Sequence, residues 1–234
     1  MTRAIPDLDI DLGRLPDEPP ALYSLARRVN VACGGQAVDT APMRAACALA
    51  AAAGAQVGAH PGYEDPEGPD RVPAEVSPDA LRASVARQCA ALADAARAHG
   101  LRVKHVKPRG ELYDTAARDP AVARAVVLGA VDALGPVEVL GPPTGALRDA
   151  ALALGMAYVR EGFADRRYLD DGTLVPRTEP GALHAEPAAA AVQAVSLALT
   201  GGFDTLCVHG DHPHAEAVAR AVRAALDAFG THRG

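Results

Sequence analysis

The feature that most constrains the fold is a regular alternation of short apolar segments with longer Ala-, Leu- and Arg-rich segments of helical period. The apolar segments predict seven strands, over residues 8–12, 29–33, 56–59, 102–107, 137–140, 157–160 and 204–208. The longer segments predict helices over residues 19–28, 39–53, 78–99, 120–134, 144–154, 187–199 and 213–229. Seven β-α units in succession predict a parallel sheet with helices outside it. The alternation alone leaves open whether that sheet is a closed barrel or an open doubly wound sheet.

Size and composition limit the class of protein. The chain has 234 residues, 49% of them hydrophobic, and no linker-like stretch divides it, so we expect one domain over residues 1–234. A net charge of −6 argues against a nucleic-acid-binding surface. The chain begins without an apolar signal-type segment, and its longest Ala-rich run, residues 45–53, is too short to span a bilayer. We therefore expect a soluble, cytoplasmic protein without membrane contacts.

Polar residues recur at the carboxyl ends of six of the seven predicted strands. Catalytic groups gather at that end of parallel α/β folds because the βα loops meet there. The recurrence predicts a single site. In strand order its candidates are Asp9 and Asp11; Gln36 and Asp39; His60; His105, Lys107 and Arg109; Glu161, Asp165 and Arg166; and His209 and Asp211.

Lysine is unusually scarce in this chain. Of 23 Lys and Arg residues only Lys104 and Lys107 are lysines, and both lie in the fourth predicted strand. Side chains two positions apart share a face of a strand, so Lys107 lies on the His105 face and Lys104 on the other. The same rule places Asp9 and Asp11 on one face of the first strand. Since carboxylates inside a barrel need cations or protons, we predict that Lys107 lies in the pocket with them.

The same residues also have structural interpretations. A strand-end aspartate can cap the next helix, and a lone histidine such as His60 is often a hydrogen-bonded structural residue. The run H-G-D-H-P-H has the composition of a metal site but no evident partner from another strand. The cysteines form no C-x-x-C pair and are predicted to be packed as small apolar side chains: Cys33, Cys47, Cys89 and Cys207.

Seven motifs then occur in a specific order: D-L-D-I-D-L-G, N-V-A-C-G-G-Q-A-V-D, V-G-A-H-P-G-Y, H-V-K-P-R-G-E-L-Y-D, E-G-F-A-D-R-R-Y, G-T-L-V-P-R and D-T-L-C-V-H-G-D. Together they resemble the LamB/YcsF family over nearly the whole chain. The resemblance implies a TIM-like (β/α) barrel, seven-stranded here, related to the barrels of glycoside hydrolases and deacetylases.

The resemblance also implies a function. It implies the 5-oxoprolinase reaction, which is ATP-dependent opening of the 5-oxoproline lactam to L-glutamate together with B and C subunits. The positive charges of Lys107 and Arg166 are suited to binding the negatively charged phosphate. Water activation would fall to Asp11, Glu161 or Asp211, and proton donation to the leaving nitrogen to His60 or His209. The candidates for substrate binding, Arg166 again among them, are Asp9, Gln36, Asp39, His105, Arg109, Asp165, Arg166 and Arg177. The chain has no G-x-x-x-x-G-K-[ST] loop, so ATP would be held differently or with a partner subunit.

Several positions depart from the family's usual residues. Gln36 and Arg109 stand where the family has histidines, Asp9 and Asp114 where it has amides, and Arg14 where it has an acid. Glutamine cannot titrate, and arginine stays protonated.

Two further hypotheses therefore stay open. One is a diverged member that binds a small carboxylate, a lactam or a partner subunit without opening the ring. The other is a metal-dependent, deacetylase-like hydrolase that uses Asp11, His60 and His209, since a requirement for divalent metal is not decided by the sequence.

Overall fold

A computed structural model of the protein describes residues 5–15, 17–34, 40–64, 76–177 and 179–231. Within them, seven parallel strands form a closed barrel in the order of the chain, and the last strand pairs with the first. The predicted seven-stranded (β/α) barrel is confirmed, and the open sheet that the alternation also allowed is excluded.

The described elements follow the predicted order. The strands are β1 Asp7–Leu12, β2 Arg28–Ala32, β3 Gln56–His60, β4 His105–Val106, β5 Glu138–Gly141, β6 Tyr158–Phe163 and β7 Thr205–His209. The helices are α1 Pro20–Leu25, α2 Ala41–Ala53, α3 Pro78–Arg97, α4 Glu111–Arg118, α5 Pro120–Leu134, α6 Ala146–Ala153, α7 Pro187–Thr200 and α8 Ala215–Thr231. No helix in this part of the chain combines the length and apolar character needed to cross a membrane.

Local sequence accounts for several helix boundaries. Helices α1, α2, α3, α5 and α7 have proline in their first turn, where the missing N–H costs nothing. The Ser77 hydroxyl accepts a hydrogen bond from the backbone N–H of Ala80, and Asp119 caps α5 in the same way. Gly54 and Gly201 end α2 and α7 in the left-handed conformation that glycine adopts without strain.

Several elements differ from the sequence prediction. Strand β4 covers His105–Val106 and not residues 102–107, so Lys104 and Lys107 flank it. The eight-residue helix α4 was missed, although it has acids in its first turn and Arg118 in its last. Strand β6 runs to Phe163 and not to residue 160, because its backbone continues to pair with β7. As a result Glu161 lies within a strand inside the barrel, whereas the sequence placed it in a loop.

The two faces of each strand have different roles. Leu8, Ile10 and Leu12 point outward and are buried under the helices, as the alternation of β1 predicts. With few aromatic residues, the helices cover them mainly with Ala, Val and Leu. Many of the inward side chains are polar instead, so most of the buried polar and titratable groups lie inside the barrel.

Ion pairs close the amino end of the barrel. Arg28 lies at the start of β2, with Nη1 at 2.6 Å from Asp7 Oδ2 and Nη2 at 3.3 Å from Glu138 Oε2. Arg27 adds a second contact to the Asp7 carboxylate at 3.0 Å. Asp7 shares the inward face with Asp9 and Asp11, yet its position at the strand start places it at the end away from the βα loops. We call Arg28, Asp7 and Glu138 the amino-end cluster.

Candidate active site

Lys107 lies at the centre of the polar interior, near the carboxyl ends of the strands. Its Nζ is 2.8 Å from Asp11 Oδ1, 2.8 Å from Glu161 Oε1 and 3.7 Å from Asp9 Oδ2. Lys107 is 1% exposed, whereas Lys104 is exposed on the other face. Lys107 therefore points inward, as strand alternation predicted, and lies among the three carboxylates. We call these four residues the Lys107 cluster.

Two side chains that the sequence analysis did not select fix the aspartates. Asn30 donates from Nδ2 to Asp9 Oδ2 at 2.7 Å and to Asp11 Oδ1 at 2.8 Å. Thr205 donates from its hydroxyl to Asp9 Oδ1 at 2.7 Å. One available signal was the position of Asn30 as an isolated polar residue within the apolar strand V-N-V-A, on the inward face. Neutral hydrogen-bond donors therefore orient both aspartates, in addition to the charge of Lys107.

Glu161 differs from the aspartates in its surroundings. Lys107 Nζ lies at ion-pair distance, but neither Glu161 oxygen has a hydrogen bond of good geometry among the described residues. Burial, followed by the negative charges of Asp9 and Asp11, raises the pKa of Glu161 well above its ordinary value despite Lys107. The direction of this shift favours the protonated form of Glu161.

Asp11 shows the opposite behaviour. Burial disfavours its charge, but Lys107 and then His60 outweigh burial and hold the pKa of Asp11 well below its ordinary value. Lys107 itself has a pKa raised well above its ordinary value, because the surrounding carboxylates, Asp11 first, overcome the cost of burial. The ring of Phe163 lies 5.1 Å from Lys107 Nζ and adds a cation–π contact. Asp11 and Lys107 thus form a fixed ion pair, and Lys107 does not act as a neutral amine.

His60 presents an unprotonated nitrogen to Asp11. His60 Nδ1 lies 2.9 Å from the backbone oxygen of Lys107, and because a carbonyl only accepts, the Nδ1 carries the proton. The other nitrogen, Nε2, is 3.4 Å from Asp11 Oδ2. Burial outweighs Asp11 and lowers the pKa of His60, so the ring is neutral and its Nε2 can accept a proton.

His209 reaches the same carboxylate from the other side. Asp165 accepts hydrogen bonds from the His209 backbone N–H at 2.7 Å and from its Nδ1 at 3.1 Å. Burial opposes ionisation of Asp165, but the contacts with His209 outweigh it and lower the pKa of this carboxyl group. Phe163 stacks on the imidazole with ring centroids 5.6 Å apart. His209 Nε2 is left facing Asp11 Oδ2 at 3.8 Å, so Asp11, His60 and His209 converge on one point.

His105 lies away from that point. It is fully buried, its Nε2 is 2.8 Å from Asn30 Oδ1, and its ring occupies the space where a side chain of Gly58 would be. Burial and the nearby cations, Arg28 first, lower the pKa of His105 to about 3. The structure therefore places His105 as a neutral support for Asn30, and its predicted role in binding substrate stays a prediction.

Cys207 is also part of the polar interior. All four cysteines are buried, as predicted for small packed side chains, but the Sγ of Cys207 lies 3.1 Å from Lys107 Nζ and 3.5 Å from Asp11 Oδ1. Burial, followed by the charge of Asp11, raises the pKa of this thiol well above its ordinary value. Cys207 is thus a neutral thiol in contact with both charges. The available signal was its position two residues before His209, on the same face of β7.

The ligand geometry does not favour a resident metal ion. Among the described residues, the group of His, Cys, Asp and Glu whose ligand atoms all lie within 4.8 Å of one another is Asp9, Asp11 and Cys207. The Lys107 ammonium already lies within 3.7 Å of these three side chains and supplies positive charge there. His60 and His209 do not join Asp11 in such a group. The arrangement is built around an ammonium ion.

Three predicted arginines lie in the loops that follow β4 and β6. Arg109 is buried near His60, where its charge contributes to lowering the pKa of that histidine. Arg166 donates from Nη2 to the backbone oxygen of Val175 at 2.7 Å. Burial and then the charge of Arg177 lower the pKa of Arg166, while Arg177 itself is exposed. Two guanidinium groups close enough to disfavour each other provide positive charge for an anionic ligand.

Asp211 takes a different position from the other predicted acids. Its carboxylate forms an ion pair with Arg14 at 2.6 Å, and both side chains are partly exposed. No contact joins it to Lys107 or to the two histidines among the hydrogen bonds and ion pairs of the described residues. The predicted candidates Gln36 and Asp39 lie outside the described residues.

Side chains from helices and loops fix the segments that carry these groups. Glu18 accepts hydrogen bonds from the backbone N–H groups of residues 13–15, directly after β1, and from the Tyr23 hydroxyl. Gln88 on α3 accepts from Gly62 N at 3.0 Å and donates to Gly62 O at 2.8 Å, two residues after His60. The loops that follow Asp11 and His60 are therefore held by buried polar side chains.

Comparison with known proteins gives a consistent result. The LamB/YcsF family model matches residues 7–233. The chain is 45% identical to the 5-oxoprolinase A subunit of Symbiobacterium thermophilum over 97% of this chain and 94% of that protein. The crystal structure of the lactam utilization protein from Thermus thermophilus is 34% identical, with a TM-score of 0.85 over 97% of this chain and 98% of that one. A GH30 endoxylanase from Clostridium papyrosolvens C71, 12% identical with a TM-score of 0.51 over 97% of this chain and 72% of that one, shares the fold alone.

Proposed function

The chain belongs to the LamB/YcsF family, and from this we propose that it is a hydrolase that serves as the A-type subunit of a 5-oxoprolinase. It opens the lactam of 5-oxoproline to L-glutamate in an ATP-dependent reaction, together with B- and C-type subunits. The observation that carries the proposal is the convergence of Asp11, His60 and His209 at the carboxyl end of a barrel whose relative is named for this activity.

The ring amide is a poor electrophile, and ATP would activate it by transferring its γ-phosphoryl group to the amide oxygen. ADP would be released at that step, and inorganic phosphate would be released once the ring has opened. Arg166 and Arg177, in the loop after β6, supply positive charge that suits an anionic substrate. With no P-loop in the sequence, the nucleotide is held by such residues or by a partner subunit.

The reaction needs two proton transfers, and a different histidine of this chain is placed for each. Water must lose a proton as its oxygen bonds to the ring carbon, and the neutral Nε2 of His60 beside the ionised Asp11 is placed to take it. The ring nitrogen must gain a proton as its bond to carbon breaks. His209 is placed to deliver that proton from Nε2 when its ring is protonated on both nitrogens, because Asp165 accepts a hydrogen bond from the Nδ1–H on the far side of the ring. Lys107 keeps Asp11 ionised throughout.

A diverged, non-hydrolytic function is the second candidate. Arg109 stands where the family usually has a histidine, and its fixed positive charge near His60 disfavours a protonated ring there. A binding protein for a small carboxylate or lactam would tolerate that change. The metal-dependent hydrolase has less support, since Asp11, His60 and His209 do not form a compact ligand group.

The test is ATP-dependent glutamate release from 5-oxoproline by this chain combined with its B- and C-type subunits. The Gln36→His/Arg109→His double variant is assayed in parallel, with Arg82→Gln as a control on an exposed helical ion pair. We expect release by the natural protein that is unchanged by the control. Glutamate release only by the double variant would favour the diverged binding protein. If neither protein releases glutamate, the proposed reaction is rejected.

A further inference from the structure

Helix α7 has one inward polar side chain, Gln193, whose amide nitrogen lies within hydrogen-bond distance of three backbone carbonyl groups. The helix contains no charged residue, and Gln193 is its one amide side chain, in the sequence P-A-A-A-A-V-Q-A-V-S-L-A-L-T. Gln193 is partly buried and faces the segment that follows β6. An amide on the inward face of a helix is costly to bury unless its hydrogen bonds are made.

Those hydrogen bonds all go to one short segment and one histidine. Gln193 Nε2 lies 2.8 Å from the carbonyl oxygen of Phe163, 3.1 Å from that of Ala164 and 2.6 Å from that of Arg166. Its Oε1 lies 3.1 Å from His184 Nε2. Because the carbonyls can only accept, the amide nitrogen must face them, which fixes the orientation of the amide group. The backbone N–H of His184 also donates to Asp165 O at 2.7 Å.

The segment that Gln193 binds carries the groups that orient His209. Phe163 stacks on the imidazole ring, and Asp165 accepts hydrogen bonds from its Nδ1 and from its backbone N–H. Asp165 lies between two of the carbonyls that Gln193 holds, those of Ala164 and Arg166. A shift of this segment would therefore move the Asp165 carboxylate away from His209 Nδ1.

We infer that Gln193 is a positioning residue for His209 and acts through Asp165. Holding Asp165 in place keeps His209 Nδ1 hydrogen-bonded to the Asp165 carboxylate, which leaves Nε2 facing Asp11. Without Gln193 the three carbonyls lose their shared donor and the Asp165 contact loosens. The inference rests on the proposed function only in assigning proton transfer to His209; the geometric claim stands apart from it.

The experiment replaces Gln193 with methionine, which has similar length and helix preference but no amide. Long-range ¹H–¹⁵N NMR of His209 in the full chain reports which nitrogen carries the proton. We expect the Nδ1–H form in the natural protein and a mixture of both tautomers in Gln193→Met. In the assembled enzyme, kcat should fall by about tenfold or more with little change in KM, and the pH profile of kcat should shift.

Two control variants separate positioning from general loosening of the fold. Ser196→Ala changes an exposed hydroxyl on the same helix that bonds only within it, to Val192 O, and should leave the His209 signals unchanged. Gln88→Met removes the equivalent hydrogen bonds from the loop after β3, so it should move the His60 signals but not those of His209.

A folded Gln193→Met protein with an unchanged His209 tautomer and pH profile would overturn the inference. If that variant does not fold, His184→Ala takes its place, since it removes only the hydrogen bond to Gln193 Oε1. It should give a smaller shift of the same His209 signal, and no shift would again overturn the inference. If the natural protein releases no glutamate, the proposed reaction fails, while the NMR result still decides the role of Gln193.

Discussion

Each end of the barrel has a cation among carboxylates, but the two ends differ in how the negative charge is stabilised. At the amino end, Arg28 lies between Asp7 and Glu138, whose side chains are 35% and 39% exposed. Near the carboxyl end, Lys107 lies among three carboxylates that are between 0% and 10% exposed. Water can stabilise the surplus negative charge at the amino end, whereas the Lys107 cluster must balance its charge with protons. The amino-end cluster is a set of structural ion pairs, whereas the Lys107 cluster contains a carboxyl group, Glu161, whose protonated form is favoured.

The choice of cation follows the same difference. A guanidinium is planar, always charged and able to bridge two carboxylates, which suits Arg28. An ammonium is compact and fits between Asp11, Glu161 and Cys207, where the larger guanidinium would displace packed atoms. This is a physical reason for one of the chain's two lysines to be at position 107.

The largest effect should come from removing the buried cation. Lys107→Met leaves ionised Asp11 in the barrel without its partner, so we expect the free energy of unfolding to fall by about 3–5 kcal/mol. Glutamate release by the assembled enzyme should be lost. Chemical denaturation and the release assay measure the two effects. The matched control is Lys104→Met, at the exposed lysine of the same segment, which should change neither. Equal losses in the two variants would contradict the special role of the buried site.

An intermediate effect is expected in the pH dependence of stability. Because the pKa of Glu161 is raised in the folded protein, the native state binds more protons than the unfolded chain above the ordinary glutamate pKa. The free energy of unfolding therefore falls as pH rises from that value through the folded pKa, by up to about 1.4 kcal/mol per pH unit. Glu161→Gln cannot titrate, so this loss should disappear, as urea titrations across the pH range would show.

The controls for that prediction lie in both clusters. Glu138→Gln changes a half-exposed carboxylate of the amino-end cluster and should retain the loss of stability at rising pH. Asp11, whose pKa is lowered, contributes stability that is lost as pH falls through its folded pKa, and this acid limb should persist in Glu161→Gln. If Glu161→Gln keeps the natural protein's slope above the ordinary glutamate pKa, Glu161 does not hold the proton.

The smallest effect should come from exchanging the cation at the amino end. Arg28→Lys keeps the charge beside Asp7 and Glu138 but loses the bridging fork, and the carboxylates remain hydrated. We expect a decrease of about 1 kcal/mol or less in the free energy of unfolding and unchanged glutamate release. The reciprocal change, Lys107→Arg, should abolish release because the guanidinium overfills the cluster. Similar results for the two exchanges would show that the ends do not differ as described.

Strand periodicity was enough to predict part of the site. The period of two placed Asp9 and Asp11 on one face and separated Lys107 from Lys104, and the structure places these side chains accordingly. It was not enough to select Asn30 and Cys207, because alternation gives the face of a strand and not the contacts that form when the barrel closes. The extent of β6 was also missed, because it depends on pairing with β7 and not on local composition.

The sequence by itself determined the order of strands and helices, the inward face of β1 and the concentration of polar residues at one end. These follow from local periodicity, which each segment carries without its neighbours. Only the tertiary structure decided that Asp11 and Lys107, 96 positions apart, share a hydrogen bond, since that contact requires the ring of strands to close. It also decided which carboxyl group keeps a proton, because burial and neighbouring charges, and not residue type, set the pKa values of Glu161 and Asp11.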